Sequence, residues 1–395
     1  MRILSLTSRK DLRNSLQDIN VDAYGIKIML PKAQHRLLKI NSLSNVSANI
    51  LKQEMLSLGG DAALAREALT GKIKKTDCLV MGSIAQLSRL RDKLNRQPFG
   101  LSKLARDLSL TLKNYQKDNF QLKAGKYRLN LGSRSHIMGI VNVTADSFSG
   151  DGLLHLQKDE IIEYAIRLAK EGADIIDVGG ESTRPGAKRV SLKDEASRVI
   201  PVIKALVKKI NTPISVDTYK PEIAKMALDC GASIVNDVSG LRNSKMVKVV
   251  SRYKAGVVIM HMLKEPRSMQ NNPNYNSLID DISGYLKSAI ARAETSGIDS
   301  GSIIIDPGIG FGKTLGHNLE ILKRLAEFKS LGKPILVGVS RKSFIGKILN
   351  AGPEKRIFGT VASCVNARIN GADILRVHDV KAIREALMVA DNIKR

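Results

Sequence analysis

Downstream of about residue 134 the chain repeats one pattern eight times, and this repeat constrains the fold more than any other feature. Each repeat starts with a short, β-branched apolar run that ends in a polar cluster, and an amphipathic helical stretch follows. Continuous apolar runs are typical of parallel strands buried on both faces. Eight alternating β/α units in about 260 residues predict an α/β protein with a TIM (β/α)8 barrel. The predicted strands are Ile137–Val143, Ile175–Val178, Ile214–Val216, Ser233–Val235, Val257–Met260, Ile303–Ile305, Ile335–Val339 and Ile374–Val377.

Residues 1–130 lack this repeat and predict a separate, small and basic α/β domain in front of the barrel domain, residues 131–395. Its predicted elements are one short strand and four helical stretches: Val80–Gly82, and Ser47–Ser57, Asp61–Glu67, Leu87–Asn95 and Leu101–Asn114. The Lys-, Gly- and Arg-rich stretch Leu122–Arg134 is expected to be a linker, so a chain that starts near Lys123 is expected to fold. This domain has no glycine-rich phosphate loop and no cluster of His, Cys or carboxylate residues, so we assign it no activity.

The chain is strongly basic, with a formal net charge of +25. Residues 1–130 hold 24 basic and 10 acidic residues, a net charge of +14. Such a surface attracts polyanions, which leaves nucleic-acid binding open as an added activity. The five aromatic residues of this region do not alternate with basic residues, as they do in RNA-binding strands. Nucleic acid is therefore not an expected partner.

The sequence predicts a cytoplasmic protein. Cys78, Cys230 and Cys364 lie far apart without paired spacing, which is typical of free thiols in a reducing compartment. The first 20 residues lack the apolar core of a signal peptide. The longest apolar runs are far shorter than the roughly 18 residues that span a bilayer. We expect no membrane association.

Polar side chains follow the predicted strands, at the ends that form the active-site face of this barrel type. They are Asn142, Asp177, Asp217, Asn236, Asp237, His261, Asp306, Ser340 to Lys342 and Arg376 to Asp379. Burying such a ring of carboxylates, amides and cations without partners is costly, so core packing does not explain it. The ring indicates a polar ligand.

Four loops at the same face carry glycines, cations or both. They are Met138–Gly152, Asp177–Ala187, Ile305–Lys313 and Ser340–Ser343. Glycines let a backbone approach a ligand, arginine grips phosphate or carboxylate, and backbone N–H groups at a helix start favour an anion. Together the loops indicate a phosphate-bearing substrate.

These segments resemble the dihydropteroate synthase family in content, order and spacing over roughly residues 134–395. Met138–Gly152 and Gly172–Ala187 correspond to the two hallmark segments of that family, and Arg376–Val380 matches its closing motif. Ala145 stands where the family usually has proline, and Ser149–Gly152 departs from the usual Ser-Asp-Gly-Gly. Both departures lie in the first loop, so they affect its geometry and not the chemistry. The first 130 residues are similar to extensions of some archaeal and bacterial members.

The resemblance implies a transferase of folate biosynthesis. The family joins 6-hydroxymethyl-7,8-dihydropterin pyrophosphate to p-aminobenzoate and releases pyrophosphate in an SN1-like displacement. It implies Mg²⁺ as cofactor and a homodimer as the assembly. The electron-rich dihydropterin pushes out the leaving group, so no nucleophilic side chain is required, and none is evident.

The resemblance also assigns residues to each substrate. For the pterin they are Asp217, Asn236, Met260, Asp306, Gly310, Phe311 and Lys342. For the pyrophosphate they are Asn142, Arg184, Arg376 and His378, with Mg²⁺ held at Asn142. For p-aminobenzoate they are Phe148, Thr183, Arg184, Pro185, Phe311, Lys342 and Ser343. The expected catalytic residues are Lys342, Asp217, Arg376 and His378.

Two other enzymatic functions remain open at this point. The first keeps the reaction and changes the acceptor to an arylamine with a ribosyl phosphate group, as in a methanopterin-like pathway. The second is a pterin-dependent methyltransferase, which would share the Asp and Asn contacts. A methyltransferase has no use for Ser182–Gly186 or Ser340–Ser343, so it is disfavoured.

Overall fold

The computed structural model describes residues 1–6, 8–144, 152–154, 156–182, 189–264, 269–270 and 272–394. The chain divides into two units, Met1–Lys113 and Asn114–Arg395. Among the described residues, no helix combines the length and the apolar character that a membrane span needs. The three cysteines are free thiols.

The first unit is an antiparallel three-stranded sheet with helices packed against it. Its strands, in the spatial order β1-β3-β2, are β1 (His35–Ser44), β2 (Asp61–Leu64) and β3 (Lys75–Ser83). Its helices are α1 (Arg9–Asp18), α2 (Ala23–Met29), α3 (Asn45–Ser57), α4 (Arg66–Leu69), α5 (Ile84–Leu94) and α6 (Leu101–Tyr115). Leu51, Met55, Leu87 and Leu94 are fully buried between sheet and helices.

Three of the four helices predicted for this unit are present, and the fourth prediction is wrong. Residues 61–64 of the predicted helix Asp61–Glu67 form strand β2, which pairs antiparallel with β3 through Ala62 and Val80. Both of these side chains are buried in the core. The alanines of this segment favour a helix intrinsically, but pairing and burial at a sheet edge override that weak preference.

The second unit starts with a β-hairpin and continues as the predicted barrel. The hairpin consists of β4 (Phe120–Ala124) and β5 (Tyr127–Leu131). The barrel strands are β6 (His136–Asn142), β7 (Ile175–Gly179), β8 (Ile214–Asp217), β9 (Ile234–Asp237), β10 (Gly256–Met260), β11 (Ile303–Asp306), β12 (Leu336–Val337) and β13 (Ile374–Val377). They pair in parallel in chain order, β13 returns to β6, and a bridge between Ile305 and Ile335 joins β11 to β12. The TIM-barrel prediction is confirmed.

Helices cover the outside of the barrel. They are α7 (Lys158–Lys170), α8 (Leu192–Lys209), α9 (Pro221–Asp229), α10 (Ser244–Tyr253), α11 (Leu278–Thr295), α12 (Leu315–Lys323), α13 (Ser343–Leu349), α14 (Ile357–Ile369) and α15 (Val380–Lys394). Short 3₁₀ turns at Ser300–Ser302, Leu325–Leu331 and Pro353–Lys355 complete the connections. The apolar faces of the helices and the outward side chains of the strands form one continuous core.

The hairpin forms the floor of the barrel, and this corrects the predicted linker at Leu122–Arg134. Leu122, Ala124 and Leu131 are at most 1% exposed. They pack against inward-facing residues from the first halves of seven strands: Met138, Ile175, Ile234, Val258, Ile304, Leu336 and Ile374. Because this layer would otherwise face water, the hairpin belongs to the barrel unit. The domain boundary therefore lies at residues 113 and 114 and not at 130 and 131.

Candidate active site

A cavity lies at the mouth of the barrel, above the carboxyl ends of the strands. Its lining residues are Ile140, Asn142, Thr144, Glu181, Ser182, Asp217, Met269, Gly310, Phe311, Gly338, Ser340, Lys342, Ser343, Arg376 and His378. Eight of the predicted site residues are in this set, contributed by β6, β8, β13 and the loop after it, the loops after β11 and β12, and the start of α13. The alternation of side chains along each strand explains why one residue in two reaches the interior.

An ion-pair network occupies the bottom of the cavity. Arg376 on β13 donates from Nε to Asp177 Oδ2 at 2.6 Å and from Nη2 to Asp217 Oδ2 at 2.7 Å. Asn236 Nδ2 donates to the same Asp177 oxygen at 3.0 Å. Burial disfavours a charged guanidinium, but the carboxylates of Asp177 and Asp217 outweigh it and raise the pKa of Arg376 above its ordinary value. Arg376 is thus held in place by two strands other than its own.

Three buried oxygen atoms beside this network have no hydrogen-bond partner within the described part of the chain. They are Asp177 Oδ1, Asp217 Oδ1 and Ser215 Oγ. A buried acceptor without a partner costs about 1–3 kcal/mol, so a native protein keeps one mainly where a ligand or water satisfies it. The carboxylate oxygens are therefore suited to accept N–H groups of a polar ligand.

Burial raises the pKa of Asp217 to about 7, although the positive charge of Arg376 opposes the shift. The nearby carboxylate of Asp177 adds to the increase. Asp306 at the end of β11 is also buried, and burial raises its pKa despite the charge of Lys342. Its Oδ1 accepts the backbone N–H of Gly308 at 2.7 Å. Two acidic groups with raised pKa values in one cleft are typical of a functional site.

Lys342 brings a half-buried cation to the wall of the cavity. Burial lowers the pKa of its ammonium group to about 8, although Asp306 favours the charged form. The Nζ atom donates to the backbone carbonyl of Ile309 and lies 4.8 Å from the ring centroid of Phe311. Gly310 has a φ of +82°, and a Cβ there would come within 3.3 Å of the Lys342 stem. A glycine at this position thus lets the loop and the lysine lie against each other.

His378 is oriented by Ser340 from the neighbouring loop. The Ser340 Oγ atom lies 2.9 Å from His378 Nδ1 and accepts the backbone N–H of His378 at 3.3 Å. A hydroxyl that donates to Nδ1 leaves Nε2 to carry the ring proton, so the imidazole can donate into the cavity. Sequence reasoning placed Ser340 in the polar ring without a role.

An apolar wall completes the cavity. Met260, Val238, Met262 and Met269 form a buried cluster, and Phe311 packs against it. Flexible thioether side chains fill irregular gaps and make favourable contacts with aromatic rings. Such a wall suits the face of a flat heterocycle.

Of the other predicted site residues, Asn236, Met260 and Asp306 are buried toward the ends of β9, β10 and β11 and are not among the residues that line the cavity. Four more lie outside the described residues: Phe148, Thr183, Arg184 and Pro185. The same holds for the two sequence departures noted above, apart from Gly152.

Two networks next to the cavity were not predicted. Lys313, almost fully buried, places Nζ 3.1 Å from His261 Nδ1, and burial lowers the pKa of this lysine to about 7. On the other side Lys220 donates to Glu181 at 2.6 Å and to Glu195 at 2.5 Å. These partners are distant in the sequence, so only the fold reveals the pairs. Asp177 was recognised as a strand-end residue, but its pairing with Arg376 was not.

Comparison with known proteins places this site in a family. The sequence model of the pterin binding enzyme family matches residues 138–378. The dihydropteroate synthase of Synechocystis is 44% identical over 276 residues, which span 69% of this chain and 95% of that protein. The crystal structure of Xanthomonas albilineans dihydropteroate synthase with 4-aminobenzoic acid shares 41% identity, with a TM-score of 0.65. That similarity covers 70% of this chain and 98% of the other.

A third relative extends the similarity beyond the barrel. The probable bifunctional folylpolyglutamate synthase/dihydropteroate synthase of Halobacterium salinarum is 38% identical over 388 residues. The match spans 97% of this chain and 46% of that protein, so it includes residues of the first unit. The matches cover the barrel residues that form the cavity. The chain therefore belongs to the dihydropteroate synthase family of pterin-binding enzymes.

Proposed function

We propose that this chain condenses 6-hydroxymethyl-7,8-dihydropterin pyrophosphate with p-aminobenzoate to form dihydropteroate. The observation that carries the proposal is the set of buried carboxylates and cations at the barrel mouth, with two carboxylate oxygens that have no partner among the described residues. A pterin ring presents adjacent N–H donors and a carbonyl, which need this combination of acceptors and a cation.

We assign the pterin to the deep part of the cavity. Asp217 and Asp306 would accept N–H groups of the ring, Asn236 would add an amide contact, and Lys342 would donate to a ring acceptor. Charge-assisted hydrogen bonds of this kind are roughly twice as strong as neutral ones. The ring faces would contact Met260 and Phe311, which lie on the apolar wall.

The pyrophosphate group would extend toward the cavity entrance. His378 and, from the bottom of the cavity, Arg376 would bind phosphate oxygens, joined by Arg184 through the family resemblance. In the displacement, the exocyclic C–O bond breaks with both electrons leaving on pyrophosphate, and the ring nitrogen stabilises the methylene cation. The arylamine nitrogen then forms the C–N bond and loses a proton. The side chains thus hold the leaving group and exclude water.

The residues present fit a magnesium ion that arrives with the pyrophosphate. Asn142 lines the cavity at the end of β6 and offers an amide oxygen there. The described residues contain no cluster of three or more His, Cys, Asp or Glu that would hold a metal alone. Magnesium keeps several waters and phosphate oxygens and needs few protein ligands, so one amide oxygen suffices. A bound Mg²⁺ would neutralise charge on the leaving pyrophosphate.

The arylamine would bind nearer the surface. Phe311 and the stem of Lys342 offer an apolar edge for its ring, and Ser343 at the start of α13 offers a donor for its carboxylate. Thr183, Arg184, Pro185 and Phe148 are assigned to this subsite by the resemblance alone. Competition assays with an equal mixture of p-aminobenzoate and a ribosyl-phosphate arylamine, read by product mass, test the acceptor. Exclusive use of the phosphorylated amine would contradict the proposal.

We also propose a homodimer formed through the helices after β12 and β13. Large apolar side chains are exposed on α13 to α15: Ile348, Phe358, Met388, Val389 and Ile393. Exposed apolar patches of this kind mark interaction surfaces. We expect light scattering to give twice the chain mass, and Phe358→Asp to give a monomer. A wild-type monomer at micromolar concentration would contradict the assignment.

The raised pKa of Asp217 predicts a pH dependence. The carboxyl is protonated below its pKa of about 7 in the free protein, and only the carboxylate accepts two N–H groups. We therefore expect kcat/KM for the pterin pyrophosphate to fall as the pH drops below 7. Asp217→Asn should remove this step and cost roughly 1–3 kcal/mol of binding. An unchanged pH profile in the variant would show that another group titrates.

The raised pKa of Asp217 has the opposite pH dependence in its effect on the stability of the fold. A carboxyl with a raised pKa loses its proton more easily in the unfolded chain, so the folded state binds more protons between pH 3.8 and about 7. The contribution of Asp217 to the free energy of unfolding should therefore decrease as the pH rises through this range. Thermal melts of wild type and Asp217→Asn across the range measure this difference.

A further inference from the structure

Arg341 has an unusual backbone conformation for a residue at the edge of the cavity. It lies between β12 and α13, with a φ of +55°, in the left-handed region that favours glycine. A non-glycine residue held there is strained and persists only when its surroundings enforce the conformation. The flanking residues Ser340 and Lys342 both line the cavity. Arg341 instead lines a neighbouring cleft beside α7 and α15, which shares His378 with the cavity.

Contacts with Thr360, Arg356 and Asp379 hold Arg341 in this conformation. Its backbone N–H donates to Oγ1 of the fully buried Thr360 at 3.0 Å. Its carbonyl oxygen accepts from Arg356 Nη1 at 2.9 Å. Its guanidinium binds both oxygens of Asp379, with Nε to Oδ2 at 2.9 Å and Nη2 to Oδ1 at 2.5 Å. These contacts fix both the backbone and the side chain of Arg341.

The two residues beside this ion pair belong to the site. Asp379 directly follows His378, and Arg341 directly follows Ser340, whose hydroxyl lies 2.9 Å from His378 Nδ1. A bidentate arginine–carboxylate pair is rigid in geometry as well as strong. The pair therefore ties the loop after β12 to the loop after β13 immediately next to the hydrogen bond between Ser340 and His378.

We propose that Arg341 and Asp379 are a positioning pair for the reaction. The ion pair keeps residue 341 left-handed, and this conformation directs Ser340 toward His378 and Lys342 into the cavity. If residue 341 relaxed to a right-handed or extended conformation, either Ser340 would turn away from His378 or Lys342 would turn away from the cavity. The proposal rests on the function proposed above for the same cavity.

Glycine gives a selective test, because it adopts a positive φ without strain. We expect Arg341→Ala and Asp379→Ala to lower kcat/KM for the pterin pyrophosphate at least tenfold. Arg341→Gly should recover to within a few-fold of wild type, and adding Asp379→Ala to it should cause no further loss. Lys254→Gly is the matched control, since Lys254 has a φ of 50° at the end of α10, away from the cavity. It should leave kinetics unchanged.

The state of His378 gives a readout that does not depend on turnover. The chain has only six histidines, so selective ¹⁵N labelling resolves their ring signals. We expect Arg341→Gly to keep the wild-type tautomer pattern of His378 and Arg341→Ala to lose it. Equal damage by glycine and alanine, or wild-type kinetics for Arg341→Ala, would overturn the proposal. Absence of arylamine-dependent turnover in wild type would instead refute the proposed function, while the His378 spectra would still test the pair.

Discussion

A chain shortened to begin at Asn114 is expected to fold and to keep its turnover number within a few-fold of the full-length value. A chain that begins at Gly132 is expected not to fold. The difference is the β4–β5 hairpin, which covers the inward layer of seven barrel strands. The fully buried Leu122 and Leu131 contribute about 1.5–3 kcal/mol each, and their removal also exposes that layer to water. Since domains are stable by only about 5–15 kcal/mol, this loss is decisive.

A start near Lys123 is also expected to fail, because it removes Leu122 and splits β4. Circular dichroism and thermal melts of the three truncated chains test the prediction. Leu122→Ala in the full chain should lower the free energy of unfolding by roughly 2–5 kcal/mol. Leu129→Ala is the control, because Leu129 is only partly buried on the same hairpin. A soluble chain from Gly132 with a wild-type melting temperature would contradict the role of the hairpin.

The first unit is expected to act on substrate encounter and not on chemistry. Residues 1–113 carry 20 basic and 9 acidic residues, a field that attracts a polyanionic pterin pyrophosphate. The chain from Asn114 should therefore have a higher KM for that substrate than the full-length chain. This difference in KM should shrink as the salt concentration rises. A loss in kcat that is independent of salt would show that the first unit supplies part of the site.

Lys342→Ala is expected to lower kcat/KM by about 100-fold, which corresponds to about 2.7 kcal/mol of lost interaction with the bound pterin. Its melting temperature should change little, because burial already disfavours the charge and lowers the pKa of this lysine to about 8. The charge is therefore maintained for a ligand and not for the fold.

Lys333→Ala is the control, because Lys333 is a lysine that is buried away from the cavity. Lys333 is 6% exposed and donates to Glu294 at 2.7 Å and to the Ser300 carbonyl at 2.9 Å, away from the cavity. Its removal should lower the free energy of unfolding by roughly 1–3 kcal/mol with unchanged kinetic constants. Steady-state kinetics and melts on both variants separate the roles. A large loss of stability in Lys342→Ala with normal KM would assign it a structural role.

The barrel was predictable because the signal is local and repeated. Each strand is a short apolar run, and burial on both faces excludes alternation, so β6 to β13 appear directly in the sequence. The polar residues at their ends share one face by the rule that parallel strands point the same way. Eight predicted site residues therefore line one cavity although they come from distant segments.

The hairpin was not predictable by the same reasoning. In β4 and β5 apolar residues alternate with Gln121, Lys123, Arg128 and Asn130, which is the pattern of strands with one buried face. The Lys, Gly and Arg content of the segment nevertheless led to the prediction of a linker. Only the closed barrel supplies the apolar surface that its inner face covers. The pairing of Arg376 with Asp177 and Asp217 spans 199 and 159 positions, and no local pattern records it. The left-handed backbone conformation of Arg341 likewise cannot be predicted from the sequence, because arginine does not favour that conformation intrinsically.

The most direct test of the account is the rate of pyrophosphate release by the purified full-length chain. Reactions would contain Mg²⁺ and the pterin pyrophosphate, with and without p-aminobenzoate, and Asp217→Asn would run in parallel. We predict release that requires the arylamine, matches dihydropteroate formation mole for mole, and is strongly reduced in the variant. Equal release without the arylamine would identify a hydrolase and would contradict the condensation that the cavity is proposed to perform.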